Sequence, residues 1–193
     1  GPILVATGVR RSYPRGMSGM TTAPVTLAGE TFTFDGATTY VMAVVNLSPE
    51  SRVAHSVVGS PAEALERARA YRDLGASIID LGAQSSHFEN RELDPAEELD
   101  RLLPALELLV ADGFVVSVDS WKPEVMAAAL DAGAAIVNDT GGLQDPAMVA
   151  TVAAHDAPAI AMYIEGANPL TVDQLTFTGD GAASVIDRFR TRI

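Results

Sequence analysis

Residues 115–142 read VVSVDSWKPEVMAAALDAGAAIVNDTGG. An apolar run at 115–118 breaks at Asp119, a helical segment opens on Pro123, and Gly133 stops it. A second apolar run at 134–137 then breaks at Asn138 and Asp139. Continuous apolar runs mark parallel strands buried on both faces, which have no solvent side to alternate with. The stretch is a βαβ unit in which both strands deliver polar side chains at their C-terminal ends. Ligands of α/β folds bind beyond those ends.

The same grammar extends outward in both directions. Strand runs are predicted at 41–46 (VMAVVN), 77–81 (SIIDL) and 159–163 (AIAMY), beside 115–119 and 134–138. Helices are predicted to open at Ser60-Pro61, Asp94-Pro95 and Asp145-Pro146, each a capping side chain followed by proline at the first helical position. Pro104, inside the second of these, is expected to kink or interrupt it. A last helix is predicted at 181–192. Five βα units in a row mean a parallel sheet, either an open doubly wound sheet or part of a (β/α)8 barrel. No G-x-G-x-x-G follows the first strand, so the dinucleotide fingerprint is absent. Residues 25–34 (VTLAGETFTF) alternate around Gly29-Glu30 and predict a β-hairpin that plugs or lids one end of the domain. Residues 1–24 show no period and are expected to be a flexible leader, leaving 25–193 as the domain.

The totals exclude several classes. Thirteen basic against twenty-five acidic residues give a net charge of −12, which argues against nucleic acid or an anionic membrane as partner. The chain has no cysteine, hence no disulfide, thiolate zinc site or thiol nucleophile. No apolar run approaches the roughly 20 residues of a membrane span, and a cytoplasmic protein acting on small molecules is expected. Lys122 is the sole lysine.

Each strand end offers polar groups: Asn46 to Ser51, Asp80 with the 84–87 stretch QSSH, Asp119-Ser120, Asn138-Asp139-Thr140, and Tyr163 with Glu165. In a barrel these converge on one mouth. Each also has a plain structural role open to it. Asp119 precedes a helix start and suits an N-cap, Asn138-Asp139 suits an Asx-turn, and Asp80 suits a bond to neighbouring backbone. No spacing of His, Asp and Glu makes a metal cage, and Ser85-Ser86 sits in no nucleophile elbow. Asp119 and Asn138, on adjacent strands, are the strongest pair. A carboxylate beside an amide can hold a flat heterocycle that presents N–H donors and ring-nitrogen acceptors. Left unpaired in a dry cleft, each such group costs about 1–3 kcal/mol.

Five ordered motifs resemble the dihydropteroate synthase family, whose members are pterin-binding (β/α)8 barrels. MAVVNLSPES at 42–51 is similar to the family's M-G-I-x-N-x-T-P-D-S. GASIIDLG at 75–82 is similar to G-A-x-I-I-D-x-G, and VSVDSWKPEV at 116–125 to I-S-V-D-T-x-K-P-E-V. AAIVND at 134–139 and MYIEGANP at 162–169 are similar to G-A-x-I-I-N-D and M-H-M-x-G-x-P. The resemblance implies a TIM-type barrel, incomplete in this chain. It also implies synthesis of dihydropteroate from 6-hydroxymethyl-7,8-dihydropterin pyrophosphate and 4-aminobenzoate in folate biosynthesis, with magnesium assisting at the pyrophosphate. It assigns Asp119, Asn138, Asp80, Met162 and Tyr163 to substrate binding, Asn46 to metal or pyrophosphate, and Ser86 to the neighbourhood of the aminobenzoate. Asp119, Asn46 and Ser86 are the residues expected to serve catalysis.

The departures fall in two loops. The first carries Ser48 for Thr, Glu50 for Asp and Arg52 for an aromatic. The second reads GAQSSHFE at 82–89 where the family has G-G-E-S-T-R-P-G. Tyr163 stands for a histidine. These changes also admit a pterin-binding homologue with a lost or changed second reaction. A methyltetrahydrofolate-type methyltransferase fits less well, because its first loop lacks the pattern at 46–51. The family's later strands do not occur here, so a homo-oligomer, a longer polypeptide or completion by another chain is expected.

Overall fold

A computed structural model describes residues 3–4, 24–33, 38–51, 54–85, 90–171 and 180–192. The elements are β1 (Ile3–Leu4), β2 (Val25–Leu27), β3 (Glu30–Phe32), β4 (Met42–Asn46), α1 (Pro61–Asp73), β5 (Ile78–Gly82), α2 (Pro95–Ala111), β6 (Val116–Asp119), α3 (Pro123–Asp131), β7 (Ile136–Asp139), α4 (Pro146–Ala154), β8 (Ala159–Ala161) and α5 (Gly181–Arg192). A 3₁₀ turn, Ala54–Ser56, lies between β4 and α1.

Six strands form one parallel sheet in the order β1-β8-β7-β6-β5-β4. From β4 to β8 each new strand adds beside the last, always in the same direction. That is the winding of a barrel; a doubly wound sheet reverses its order once. Ile3–Leu4, within the stretch expected to be a leader, differ from that expectation: they pair in parallel with β8.

Capping chemistry sets the helix starts. Ser60 Oγ accepts the Glu63 N–H at 3.2 Å, and Asp145 Oδ1 accepts that of Ala147 at 2.8 Å. Asp94 and Glu97 form a reciprocal capping box, with bonds of 2.9 and 3.2 Å. Pro104 does not interrupt α2, contrary to expectation. It lies on the exposed face, and so does Asp100, whose carbonyl loses its intrahelical donor there and can turn to water.

The two faces of the sheet bury different things. Outward residues Val45, Ile79, Leu81, Val116, Val118 and Val137 pack against helix residues that include Leu102, Leu106, Leu109 and Met126. Inward residues at the strand starts, Ile78, Val115 and Ile136, pack against Leu27 and Phe32. The β2–β3 hairpin is therefore a plug under the N-terminal ends of the strands. Its turn falls on Ala28 (φ 47°) and Gly29 (φ 86°), the doubly left-handed geometry that suits the twist of a two-residue hairpin. Among the described residues no helix is long and apolar enough to cross a membrane.

Candidate active site

Sheet register assembles the site. Asn46, Gly82, Asp119 and Asn138 are successive cross-strand partners, so they stand at one level. One level down are Val44, Asp80, Ser117 and Ile136, on the same face because side chains alternate along a strand. Asp80 is buried and accepts the Ser117 hydroxyl at 2.8 Å. The Asn138 amide nitrogen lies 3.1 Å from both Asp80 oxygens, which orients the Asn138 side chain. Asp119 Oδ1 accepts the Thr140 hydroxyl at 3.0 Å. A Cβ at Gly82 would sit 3.2 Å from Asn46 Oδ1 and 3.7 Å from Asp119 Cβ, so the glycine keeps a gap open between these side chains. Asn46 Nδ2 donates to Ser56 Oγ at 2.7 Å.

The plain structural roles divide cleanly. Helix α3 has no side-chain cap at its start, so Asp119 is not its N-cap. Asp139 does build a turn: its two carboxylate oxygens accept the N–H groups of Gly141 and Leu143, each at 2.7 Å. Asn138 faces the site while its neighbour shapes the loop.

What remains for a ligand is acceptor-rich. Asn138, whose amide nitrogen is turned to Asp80, and Asn46, which donates to Ser56, offer carbonyl oxygens, and Asp119 offers its second carboxylate oxygen. Burial pushes the Asp119 carboxyl well above the usual carboxylate range. The negative charge of Asp80 adds to the rise, the Thr140 hydroxyl opposes it, and Glu98 and Asp139 contribute further. Burial also raises Asp80, against the pull of Ser117 and Asn138. Two carboxylates with raised proton affinity in one cleft favour a ligand that brings N–H donors or positive charge.

The other expected site residues are placed as follows. Met162 lies two residues past Ile160, the partner of Asn138, and is 39% exposed. Tyr163 is not brought to the site. Its ring meets Phe189 edge-on at 5.9 Å on the helix side of the sheet, and its hydroxyl donates to Glu165. Ser86 lies outside the described residues. In the first loop Ser48 Oγ donates to Glu50 at 2.8 Å, and Glu50 lies 3.8 Å from Arg101. In the second, Asn90 donates to Ser85 Oγ at 2.6 Å.

Several working groups escaped the sequence reading. Ser117 carried a signal: a hydroxyl within an otherwise apolar buried strand needs a partner, and it stands two residues before Asp119, on its face. Glu98 carried one too, lying in line with Leu102, Ala105, Leu106 and Leu109 on the buried side of α2. It pairs with Lys122 at 2.7 Å, and Lys122 also donates to the Leu93 carbonyl at 2.6 Å.

Comparison with known proteins follows the same lines. The family model of pterin binding enzymes matches residues 42–193. A dihydropteroate synthase of Synechocystis is 37% identical over 154 residues, which are 79% of this chain and 53% of that protein. A probable bifunctional folylpolyglutamate synthase/dihydropteroate synthase of Haloferax volcanii is 41% identical over 125 residues, 65% of this chain and 15% of that one. Among solved structures, the Burkholderia cenocepacia dihydropteroate synthase complexed with 7,8-dihydropteroate superposes with TM-score 0.74 at 29% identity, covering 89% of this chain and 57% of that one. The Thermus thermophilus enzyme in complex with 4-aminobenzoate gives 0.64 at 37% identity, covering 78% and 52%. The chain thus spans about half the length of the Synechocystis relative and of these structures. A parallel sheet wound as part of a barrel, polar strand ends in register and a family match from β4 onward together make this chain a member of the pterin binding enzyme family.

Proposed function

We propose that the protein joins 6-hydroxymethyl-7,8-dihydropterin pyrophosphate to 4-aminobenzoate, releasing pyrophosphate, as its dihydropteroate synthase relatives are named for doing. The observation that carries this reading is the single level formed by Asn46, Asp119 and Asn138, seated on the buried Asp80. The Asp119 and Asn138 acceptors complement the N–H-rich edge of a pterin. In the reaction the bond between the pterin methylene carbon and the pyrophosphate oxygen breaks, and the oxygen keeps the electron pair. The aminobenzoate nitrogen forms the new C–N bond and loses a proton. Positive charge develops on the pterin during the departure. Carboxylates fixed at Asp119 and Asp80 stabilise that charge, an effect that grows where the ligand excludes water. Met162 serves as an apolar wall for the ring, and Ser86 as a contact for the second substrate.

Magnesium fits only in a limited way. Among the described residues no group of three His, Cys, Asp or Glu side chains could hold a metal ion. Magnesium commonly keeps several waters and takes few protein oxygens besides substrate phosphates. Asn46 Oδ1, at the mouth level, suits an ion that arrives with the pyrophosphate. When bound, such an ion would neutralise charge on the leaving group.

A second reading has one observation in its favour. The second loop replaces the family's Glu and Thr by Gln84 and Ser86, which favours a changed second substrate on a conserved pterin floor. Titration with the pterin pyrophosphate, followed by 4-aminobenzoate and an assay for dihydropteroate, separates the two. Turnover supports synthesis, binding without turnover supports the second reading, and absence of pterin binding by the folded protein rejects both.

A further inference from the structure

The two carboxylates of the cleft are held differently. Asp80 takes two side-chain donors, Ser117 and Asn138. Among the described residues, Asp119 takes one, the Thr140 hydroxyl, which reaches its Oδ1 at 3.0 Å. The other oxygen, Oδ2, lies on the Gly82 side, 3.9 Å from where a Cβ on that glycine would be. The Asp119 main chain is fixed by its register with Asn138, whose carbonyl accepts the next N–H, that of Ser120, at 3.3 Å. What register leaves open is the turn of the carboxylate about its last bond, and Thr140 meets that freedom. Thr140 is itself firmly placed. It follows β7 directly and is 8% exposed. The carbonyl of Asp139 accepts the N–H groups of Gly142 and Met162, both at 3.1 Å, and the Asp139 carboxylate accepts those of Gly141 and Leu143. A Cβ at Gly141 would meet Asp139 Oδ1 and Trp121 Cβ at 2.9 Å, so this turn closes only on glycine. A turn so constrained aims one hydroxyl at one carboxylate oxygen.

We propose that Thr140 is a positioning residue for the Asp119 carboxylate: by holding Oδ1 it keeps Oδ2 in the gap over Gly82, as the acceptor for a ligand N–H. The consequence for affinity rests on the pterin reading given above, whereas the hold on Asp119 does not. A carboxylate free to turn has to be ordered when a ligand arrives, and that ordering weakens binding. One already held in the bound orientation escapes the loss. Valine at position 140 keeps the shape and removes the donor, while serine keeps the donor.

In the full-length protein, calorimetric titration of T140V with 6-hydroxymethyl-7,8-dihydropterin pyrophosphate is expected to show a dissociation constant about tenfold above the parent's, the scale of one lost bond to a charged group. T140A is expected to follow T140V and serves in its place if valine prevents folding. T140S is expected to stay within about twofold of the parent. In a D119A background, T140V is expected to change the affinity by less than about twofold, because its effect runs through Asp119. A T140V protein equal to the parent overturns the proposal. A T140S protein as weak as T140V assigns the effect to the methyl group and overturns it too. An undiminished loss in the D119A background shows that Thr140 meets the ligand itself, which overturns the positioning role. A crystal structure of T140V is expected to show the Asp119 carboxylate turned from its parent orientation, and an unturned carboxylate overturns the hold. If the parent protein does not bind the pterin pyrophosphate, the pterin reading fails and the crystal structure alone decides the hold on Asp119.

Discussion

Asp119 does two opposed things. It offers a ligand a carboxylate oxygen, and it carries a charge that its surroundings do not favour. Its folded pKa is raised above the unfolded value by burial and by Asp80. The native state therefore holds the proton to higher pH than the unfolded chain does. The stability this confers is fully present below about pH 4, where an unfolded aspartate titrates, and is lost as pH rises through the raised folded value. Asp119→Asn keeps an acceptor for Thr140 and removes the charge. The variant is expected to be more stable than the parent at pH 7, with the gap closing toward pH 3.5, and to bind pterin pyrophosphate at least about tenfold more weakly. Denaturant melts at the two pH values and calorimetric titration check both parts. A variant that is destabilised at pH 7 refutes the electrostatic account. Unchanged affinity refutes the site assignment. Gly82 belongs to the same scale: its contribution is a missing side chain between Asn46 and Asp119.

Among elements, α2 and the β6–α3 connection are joined by the Lys122–Glu98 pair, with the two residues 7% and 1% exposed. Lys122→Met leaves a buried carboxylate without its partner. A loss of about 3–5 kcal/mol is expected in urea melts. The double replacement Lys122→Met with Glu98→Leu should recover most of that loss, because an apolar pair needs no desolvated charge. Between α3 and the end of α4, His155 bonds the Thr151 carbonyl and Asp131, which raises its pKa. The raised folded value means stability present below pH 6.5 and lost as pH rises through it. His155→Ala should lower the melting temperature at pH 5.5 and leave it unaltered at pH 8.5. An equal shift at both would show that the charge plays no part.

These elements also show what a sequence displays. Helix starts were legible because Ser60, Asp94 and Asp145 carry their caps beside prolines, and strands because their runs are apolar apart from Asp80 and Ser117. That Asn46, Asp119 and Asn138 stand at the C-terminal ends of neighbouring strands was legible from where the apolar runs stop. Their arrangement was not. That Asn138 is steered by Asp80, 58 residues away, and that Glu98 finds Lys122 depend on register and packing, which no local pattern encodes. Ile3–Leu4 were missed because a two-residue strand is shorter than any period that could announce it.

At the scale of the molecule, the hairpin and the strand ends are the two poles of the sheet's inner face. Phe32 is fully buried against the strand starts and stacks obliquely on Tyr40, centroids 4.9 Å apart. Phe32→Ala is expected to cost about 3–5 kcal/mol and to loosen the inner face from below, so pterin affinity should fall although Phe32 touches none of Asn46, Asp119 and Asn138. A destabilised variant with intact affinity would show that plug and floor are independent. Because Leu27 and Phe32 stop the inner face at its lower end, the cleft is a cul-de-sac along the strand direction. A ligand moving along the strands therefore reaches Asp80 and Asn138 from the loop end alone.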